Sequence, residues 1–272
     1  MILLTLLIIL HTYYGTSGNL ITDLDIAWTE WNKYLKCDHL QYIGRYNGME
    51  DDLNIHSKIK TQYLSGINNI RNWHNVEPLK QNNDLDVFAQ SYANYIARTG
   101  QCDNGPFNSV FGLLFSSRPV SNDVGKKVPY ELYIHFDKDD EPFDFEANED
   151  EMIKYEDNTL CRLSTCIIWK SSINIGIGVV KTNEIVINDI VMRGSQYIIV
   201  AVTHPRPREL GKYKENITPR NLEIMKHDGY FEYLQKEKDR NKNIIKYELK
   251  SSFQKLMRYF FRKNVSIEKK EN

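Results

Sequence analysis

The chain has 272 residues, of which 41% are hydrophobic, 12% aromatic and 26% charged. This is an ordinary globular profile, long enough for one large domain with extensions or for two small ones. With 35 basic and 36 acidic side chains the formal net charge is -1, so the molecule as a whole presents no field for nucleic acid. The charge is nonetheless uneven, acidic across 137–157 and basic across 219–272.

Residues 1–18 read as a signal peptide. The apolar run 2–10 is too short to span a bilayer, and Gly15, Thr16, Ser17 and Gly18 follow it, although no Lys or Arg precedes it. Behind such a leader Cys37, Cys102, Cys161 and Cys166 form an even set suited to disulfide pairing, with the connectivity open. No CxxC pair is present, which argues against a zinc knuckle. Asn216-Ile217-Thr218 and Asn264-Val265-Ser266 fit the glycosylation sequon. The expectation is a secreted, disulfide-bonded glycoprotein.

Residues 19–57 read as an N-terminal helical extension. Thr22 and Asp23 are candidate caps, and Leu24, Trp28, Trp31 and Leu35 follow at helical spacing as a face for docking on the main domain. The main domain is expected over 58–220. Ile59, Tyr63, Ile67, Ile70, Arg71 and His74 trace one helical stripe, which Pro78 is expected to end. Leu85, Phe88, Ala89, Tyr92, Ala93 and Ile96 trace a second, stopped by Gly100, and its alanines imply close approach to another layer.

Further on, 164–170, 176–181, 185–191 and 196–202 are rich in Ile and Val and bounded by turn formers, as strands are. Asn183 and Arg193-Gly194-Ser195 supply the turns. Helices first and strands later predict an α+β sandwich with an antiparallel sheet. The last segment, 221–272, carries Ile245, Leu249, Leu256 and Phe260 beside several lysines and arginines. It reads as a basic amphipathic helix that packs on the domain, with peripheral contact to anionic lipid as the alternative.

Several chemical signatures fail on inspection. Gly176-Ile177-Gly178 lacks the third glycine and the following helix of a nucleotide loop, so it reads as a strand with small residues for close packing. In the acidic run 137–142, Pro142 occupies the position where a calcium loop needs glycine. No GxSxG elbow exists, and a pair such as Ser164 with His204 has no positional logic. A Cys166–His74 thiol pair conflicts with an oxidising compartment.

The segment Asn69-Ile70-Arg71-Asn72-Trp73-His74-Asn75-Val76-Glu77-Pro78-Leu79, with Leu85, Ala89-Gln90-Ser91-Tyr92-Ala93 and Ile96-Ala97 beyond it, resembles the first block of the CAP superfamily. That family is also called SCP/TAPS and includes the venom-allergen-like and plant pathogenesis-related proteins. Ile167-Ile168-Trp169-Lys170-Ser171-Ser172 with Gly176-Ile177-Gly178-Val179 is similar to its central strand block. Ile198-Ile199-Val200-Ala201-Val202 through Pro205, then Gly211-Lys212-Tyr213-Lys214-Glu215-Asn216-Ile217, resembles its closing block, most of all in the Golgi-associated branch.

The resemblance implies a three-layer α-β-α sandwich with a central cleft of two histidines and two acids able to hold a divalent metal. His74 matches the first histidine. The first acid falls on Phe111 or a neighbour, the second on His135 or, in another register, Glu131, and the second histidine on Leu163. The implied cleft is therefore degenerate, holding too few donors for zinc and lined by hydrocarbon, with His74 left in a hydrogen-bonding role. The resemblance thus implies a non-enzymatic secreted protein without a cofactor, binding a sterol, a fatty acid or an extracellular protein partner. A metal-dependent hydrolase using His74 and Glu131, or a pure protein-interaction module, are the alternatives.

Overall fold

Helix α1 (Leu20–Lys36) is the first element of the computed structural model, which describes residues 19–36, 53–102, 110–133, 143–154, 159–183, 185–187, 190–232, 235–236 and 239. The Asn19 side chain accepts from the Ile21 amide at 3.1 Å, and its carbonyl accepts from the Asp23 amide. The helix thus begins at Asn19, and the expected caps Thr22 and Asp23 lie inside its first turn. The tryptophan stripe docks as its spacing predicts. Leu24, Ala27 and Trp31 are buried in one core with Phe88, Tyr92 and Tyr95 of α3 (Asn83–Thr99).

Helix α2 (Leu53–Trp73) starts inside the stretch expected to be an extension and buries Ile59, Tyr63, Ile67, Ile70 and Trp73. It stops before Pro78 demands it. Asn75 takes a left-handed φ of 53°, which asparagine tolerates better than most residues, and so His74 sits in the turn rather than on the helix. The two-residue strand β1 (Lys80–Gln81) follows. Helix α3 is then held at both ends. The Asn82 side chain accepts from the Asp84 and Leu85 amides, and Gly100 closes the helix at φ 67°.

The remaining elements of this unit are β2 (Gly112–Pro119), α4 (Val124–Tyr133), α5 (Glu149–Lys154), α6 (Thr159–Ile168), β3 (Asn174–Thr182), β4 (Ile185–Ile187), β5 (Ile190–Met192), β6 (Gln196–His204) and α7 (Tyr213–Asn216). The main sheet runs β1-β3-β6-β2. β6 pairs antiparallel with both β3 and β2, while β1 joins β3 in parallel, a departure from the purely antiparallel expectation. Helix α3 covers one face, with α1 packed on α3, and α2, α4 and α6 form the layer on the other. This is the expected α-β-α sandwich. The inner face of α3 lies directly on β3, because a Cβ at Gly176 would strike the Leu85 carbonyl and one at Gly178 the Ala89 carbonyl.

Three strand readings need correction. The run 164–170 is largely helix α6, not a strand. Ser164, Thr165, Cys166, Ile167 and Ile168 are all buried, and a short, fully buried apolar run carries no period to separate the two forms. The run 185–191 is split between β4 and β5, a separate two-stranded sheet with Val186 opposite Val191. Strand β2 carries no legible signal, because Leu114, Ser116 and Ser117 are buried on both of its faces and blur the alternation.

The chain divides into two compact units, Met1–Asn221 and Leu222–Asn272. In the second, α8 (Leu222–His227) carries a Lys226–Glu223 ion pair at 2.8 Å. The leader, Cys37, the acidic run 137–142, His135, Asn264 and the predicted basic helix around 245–260 lie outside the described residues, as does the Cys161 side chain. Among the described residues no helix is long and apolar enough to cross a membrane.

Candidate functional site

His74 is fully buried in the turn that leaves α2. Its Nδ1 lies 2.6 Å from the Thr218 carbonyl oxygen, and its Nε2 lies 2.7 Å from the Tyr133 hydroxyl. A carbonyl can only accept, so Nδ1 carries a proton; Nε2 shares the second hydrogen bond with the tyrosine hydroxyl. Both ring nitrogens are engaged. The Thr218 hydroxyl returns the contact by donating to the His74 carbonyl at 2.6 Å, and the Asn221 amide donates to the Trp73 carbonyl at 2.6 Å. The rings of Tyr133 and Phe145 pack against the imidazole, with the Arg220 guanidinium over Phe145.

One turn back, Arg71 is equally buried and spends its guanidinium on backbone. It donates to the carbonyls of Glu77 at 2.7 Å and of Ile167, Trp169 and Ser172 at 2.9 Å each. Burial lowers this group from 12.5 to about 10, with the Glu77 charge acting in the opposite direction, so it stays charged at neutral pH. The link between α6 and β3 is tied again from the far end of the unit. The Lys170 amide donates to the Asn216 carbonyl at 3.1 Å, and the Ser171 amide to the Asn216 side chain at 2.8 Å. Three segments remote in sequence are thereby stapled together by Arg71, His74 and Asn216.

The residues expected to line one cleft fall into different sets of contacts. Glu131 pairs with Arg118 of β2 at 2.5 Å. It stands two positions from Tyr133 on α4, a spacing that turns the two side chains to different sides of the helix. Phe111 is buried on the α3 side of the sheet, its ring against Phe88 and His204. Leu163 is half-buried on α6. His74 and Glu131, the pair required by a metal-dependent hydrolase, are thus committed separately. Among the described residues no group of three or more His, Cys, Asp or Glu is placed to hold a metal ion.

Other candidates resolve in the same way. The Ser164 hydroxyl donates to the Leu132 carbonyl at 2.7 Å, while His204 pairs with Asp23 at 2.8 Å, so the two form no dyad. Asn216 fits a sequon and is an expected glycosylation site, yet its side chain is buried and its Nδ2 donates to the Lys212 carbonyl at 2.8 Å. The folded chain has that nitrogen occupied. No disulfide joins Cys102, half-buried just after α3, to Cys166, buried on α6.

The clamp role of Arg71 and the partners Tyr133 and Thr218 are not among the residues that the sequence pattern singles out. An arginine in an otherwise apolar stripe is the available signal for the first. The other two lie 59 and 144 positions from His74, where no local pattern reaches.

The architecture defines a class, an α-β-α sandwich whose motif blocks meet in a buried arginine–histidine staple. Residues 64–187 match the model of the family described as CAP, cysteine-rich secretory protein family. Over that stretch, somewhat under half of the chain, the likeness is to the CAP family. No curated protein matches it. Among solved structures it is similar to "Crystal structure of NaASP2 with Zn2+", with 10% identity, 64% of this chain and 89% of that one covered, and a TM-score of 0.40. It is also similar to the Schistosoma mansoni venom allergen-like protein 4, at 16% identity with coverages of 64% and 96% and a TM-score of 0.37. BmVAL-1 resembles it at 16% identity, coverages of 64% and 86%, and a TM-score of 0.40.

Proposed function

We propose that this chain is a secreted, venom-allergen-like CAP protein that works by binding, with a lipid, a sterol or an extracellular protein as its ligand. The observation that carries this reading is the commitment of His74. A general base or metal ligand needs a lone pair to offer, and here one nitrogen donates to Thr218 while the other is hydrogen-bonded to the Tyr133 hydroxyl. Glu131 is likewise held by Arg118. The polar side chains that would perform chemistry serve to hold the scaffold together, which leaves recognition as the use of the domain.

The test is expression of the full chain with its own leader, followed by lipid extraction and mass spectrometry of the protein recovered from the medium. A stoichiometric sterol or acyl lipid supports the lipid form of the reading. Lipid-free protein that captures a defined extracellular partner supports the other form. Retention inside the cell, or hydrolysis of a generic ester that a chelator abolishes, would displace the proposal.

A further inference from the structure

Strand β3 has a strand on each side for only part of its length. The sheet order is β1-β3-β6-β2, and β1 covers only Asn174 and Ile175 before the chain turns into α3. Beyond Ile175 the outer side of β3 meets no further strand among the described residues, yet backbone groups there are paired. The Ile177 amide donates to Asp86 Oδ1 at 2.6 Å, and the Val179 amide donates to Gln90 Oε1 at 3.0 Å. Gln90 Nε2 donates back to the Val179 carbonyl at 2.9 Å. Its side-chain amide thus meets both backbone groups of one residue, as a residue of a neighbouring strand does.

The match is one of spacing. Four residues of helix advance about 6 Å and two residues of strand about 6.6 Å, so positions four apart on α3 keep step with positions two apart on β3. The series begins with the Asn82 amide on the Ile175 carbonyl at 2.9 Å and continues with Asp86 at Ile177 and Gln90 at Val179. Gly176 and Gly178 let α3 lie close enough on β3 for these side chains to reach. Each side chain is also held in place. Asp86 Oδ2 accepts from Gln81 at 2.7 Å and pairs with Lys60 of α2 at 3.5 Å, and Asn94 Oδ1 accepts from Gln90 Nε2 at 3.2 Å.

An unpaired sheet edge is a template for another chain, and β1 shows that the lane beside β3 is wide enough for a strand. We propose that Asp86 and Gln90 form a side-chain strand that closes this edge against a second copy of the protein. A second copy carries the same edge, and two identical edges pair antiparallel about a two-fold axis, each supplying the donors and acceptors that the other lacks. Gln90 is the principal guard, because it covers both backbone groups of Val179 while Asp86 covers the amide of Ile177. The device is independent of the ligand that the domain binds.

The experiment compares the full-length wild type with Gln90→Met by sedimentation velocity over a concentration series, with hydrogen exchange read on peptides covering 176–182. Methionine keeps the length and helix propensity of glutamine and removes the amide. The wild type is expected to show no concentration-dependent protection of 176–182. Gln90→Met is expected to form dimers at concentrations at least about tenfold below any at which the wild type does, the scale of two backbone hydrogen bonds. Protection of 176–182 should fall in the dilute variant and return as dimers form, a pattern that general misfolding does not produce. Gln90→Glu keeps the acceptor for the Val179 amide and loses the donor, and it is read in the same way if Gln90→Met does not fold. A folded variant as monomeric as the wild type overturns the inference, as does association that leaves 176–182 unprotected or a wild type that itself pairs through this edge. Failure of both variants to fold would make Gln90 a tie of the core and overturn it as well.

Discussion

The imidazole of His74 and the hydroxyl of Tyr133 meet at 2.7 Å across 59 positions of sequence, joining the turn after α2 to the last residue of α4. With the Thr218 carbonyl on the other nitrogen, the histidine links three segments and serves as a structural member. His74→Ala takes a hydrogen bond from the buried Tyr133 hydroxyl and from the Thr218 carbonyl and leaves a cavity, so a loss of about 3 kcal/mol is expected in urea unfolding. Tyr133→Phe removes one bond and should cost about 1–2 kcal/mol. Zinc titrations of wild type and His74→Ala should be indistinguishable. Micromolar zinc binding lost with the histidine would overturn the structural role.

Arg71 makes a sharper case, because four carbonyls depend on one side chain. Lysine keeps the charge but cannot reproduce a planar fork with fixed donor directions. Arg71→Lys should therefore destabilise by about 2–3 kcal/mol, and Arg71→Met by more, as it leaves all four carbonyls without this donor. Equal stability of Arg71→Lys and wild type would show that the fork geometry is immaterial.

Asn216 tests whether a sequon read from sequence is usable in the fold. Its Nδ2 donates to Lys212, and its oxygen accepts from the Ser171 amide that lies between α6 and β3. Glycopeptide mass spectrometry of protein expressed through a secretory pathway is expected to find Asn216 unmodified. Asn216→Ala should cost about 1–2 kcal/mol through the orphaned Ser171 amide. A glycan at Asn216 in folded protein would contradict the placement of that side chain.

These staples explain how much of the molecule is legible in its sequence. The blocks that carry the resemblance, around Arg71 and His74, Trp169 and Asn216, are blocks that touch, so their spacing records a packing constraint. The amphipathic helices are readable because α1 and α3 each bury one face, and Gly176 and Gly178 read correctly as points of close approach. Helix α6 reads as a strand because it is apolar on more than one side, which erases the period. The expected cleft disperses for a related reason. A motif position gives the residue type but not the direction of its side chain, and Arg118 lies 13 positions from the Glu131 it engages. Asp23 and His204, 181 positions apart, leave no trace in the pattern.

Tyr63, fully buried on α2, gives the alkaline prediction. Burial, with the charge of Cys166 adding, pushes its phenol well above the ordinary 10.0. The sign follows from linkage. Above pH 10 the unfolded chain releases this proton while the folded chain keeps it, so the folded state binds more protons and its stability falls as pH rises. The stabilisation is fully present below 10 and is lost upward, at up to about 1.4 kcal/mol per pH unit for one group. Arg71 works the other way above about 10, since its folded form releases a proton first. Tyr63→Phe should therefore flatten the alkaline limb of the stability curve measured by urea unfolding between pH 9 and 11, and leave the neutral limb in place. A Tyr63→Phe curve that falls as steeply as the wild type above pH 10 would mean that the phenol titrates alike in the folded and unfolded chains.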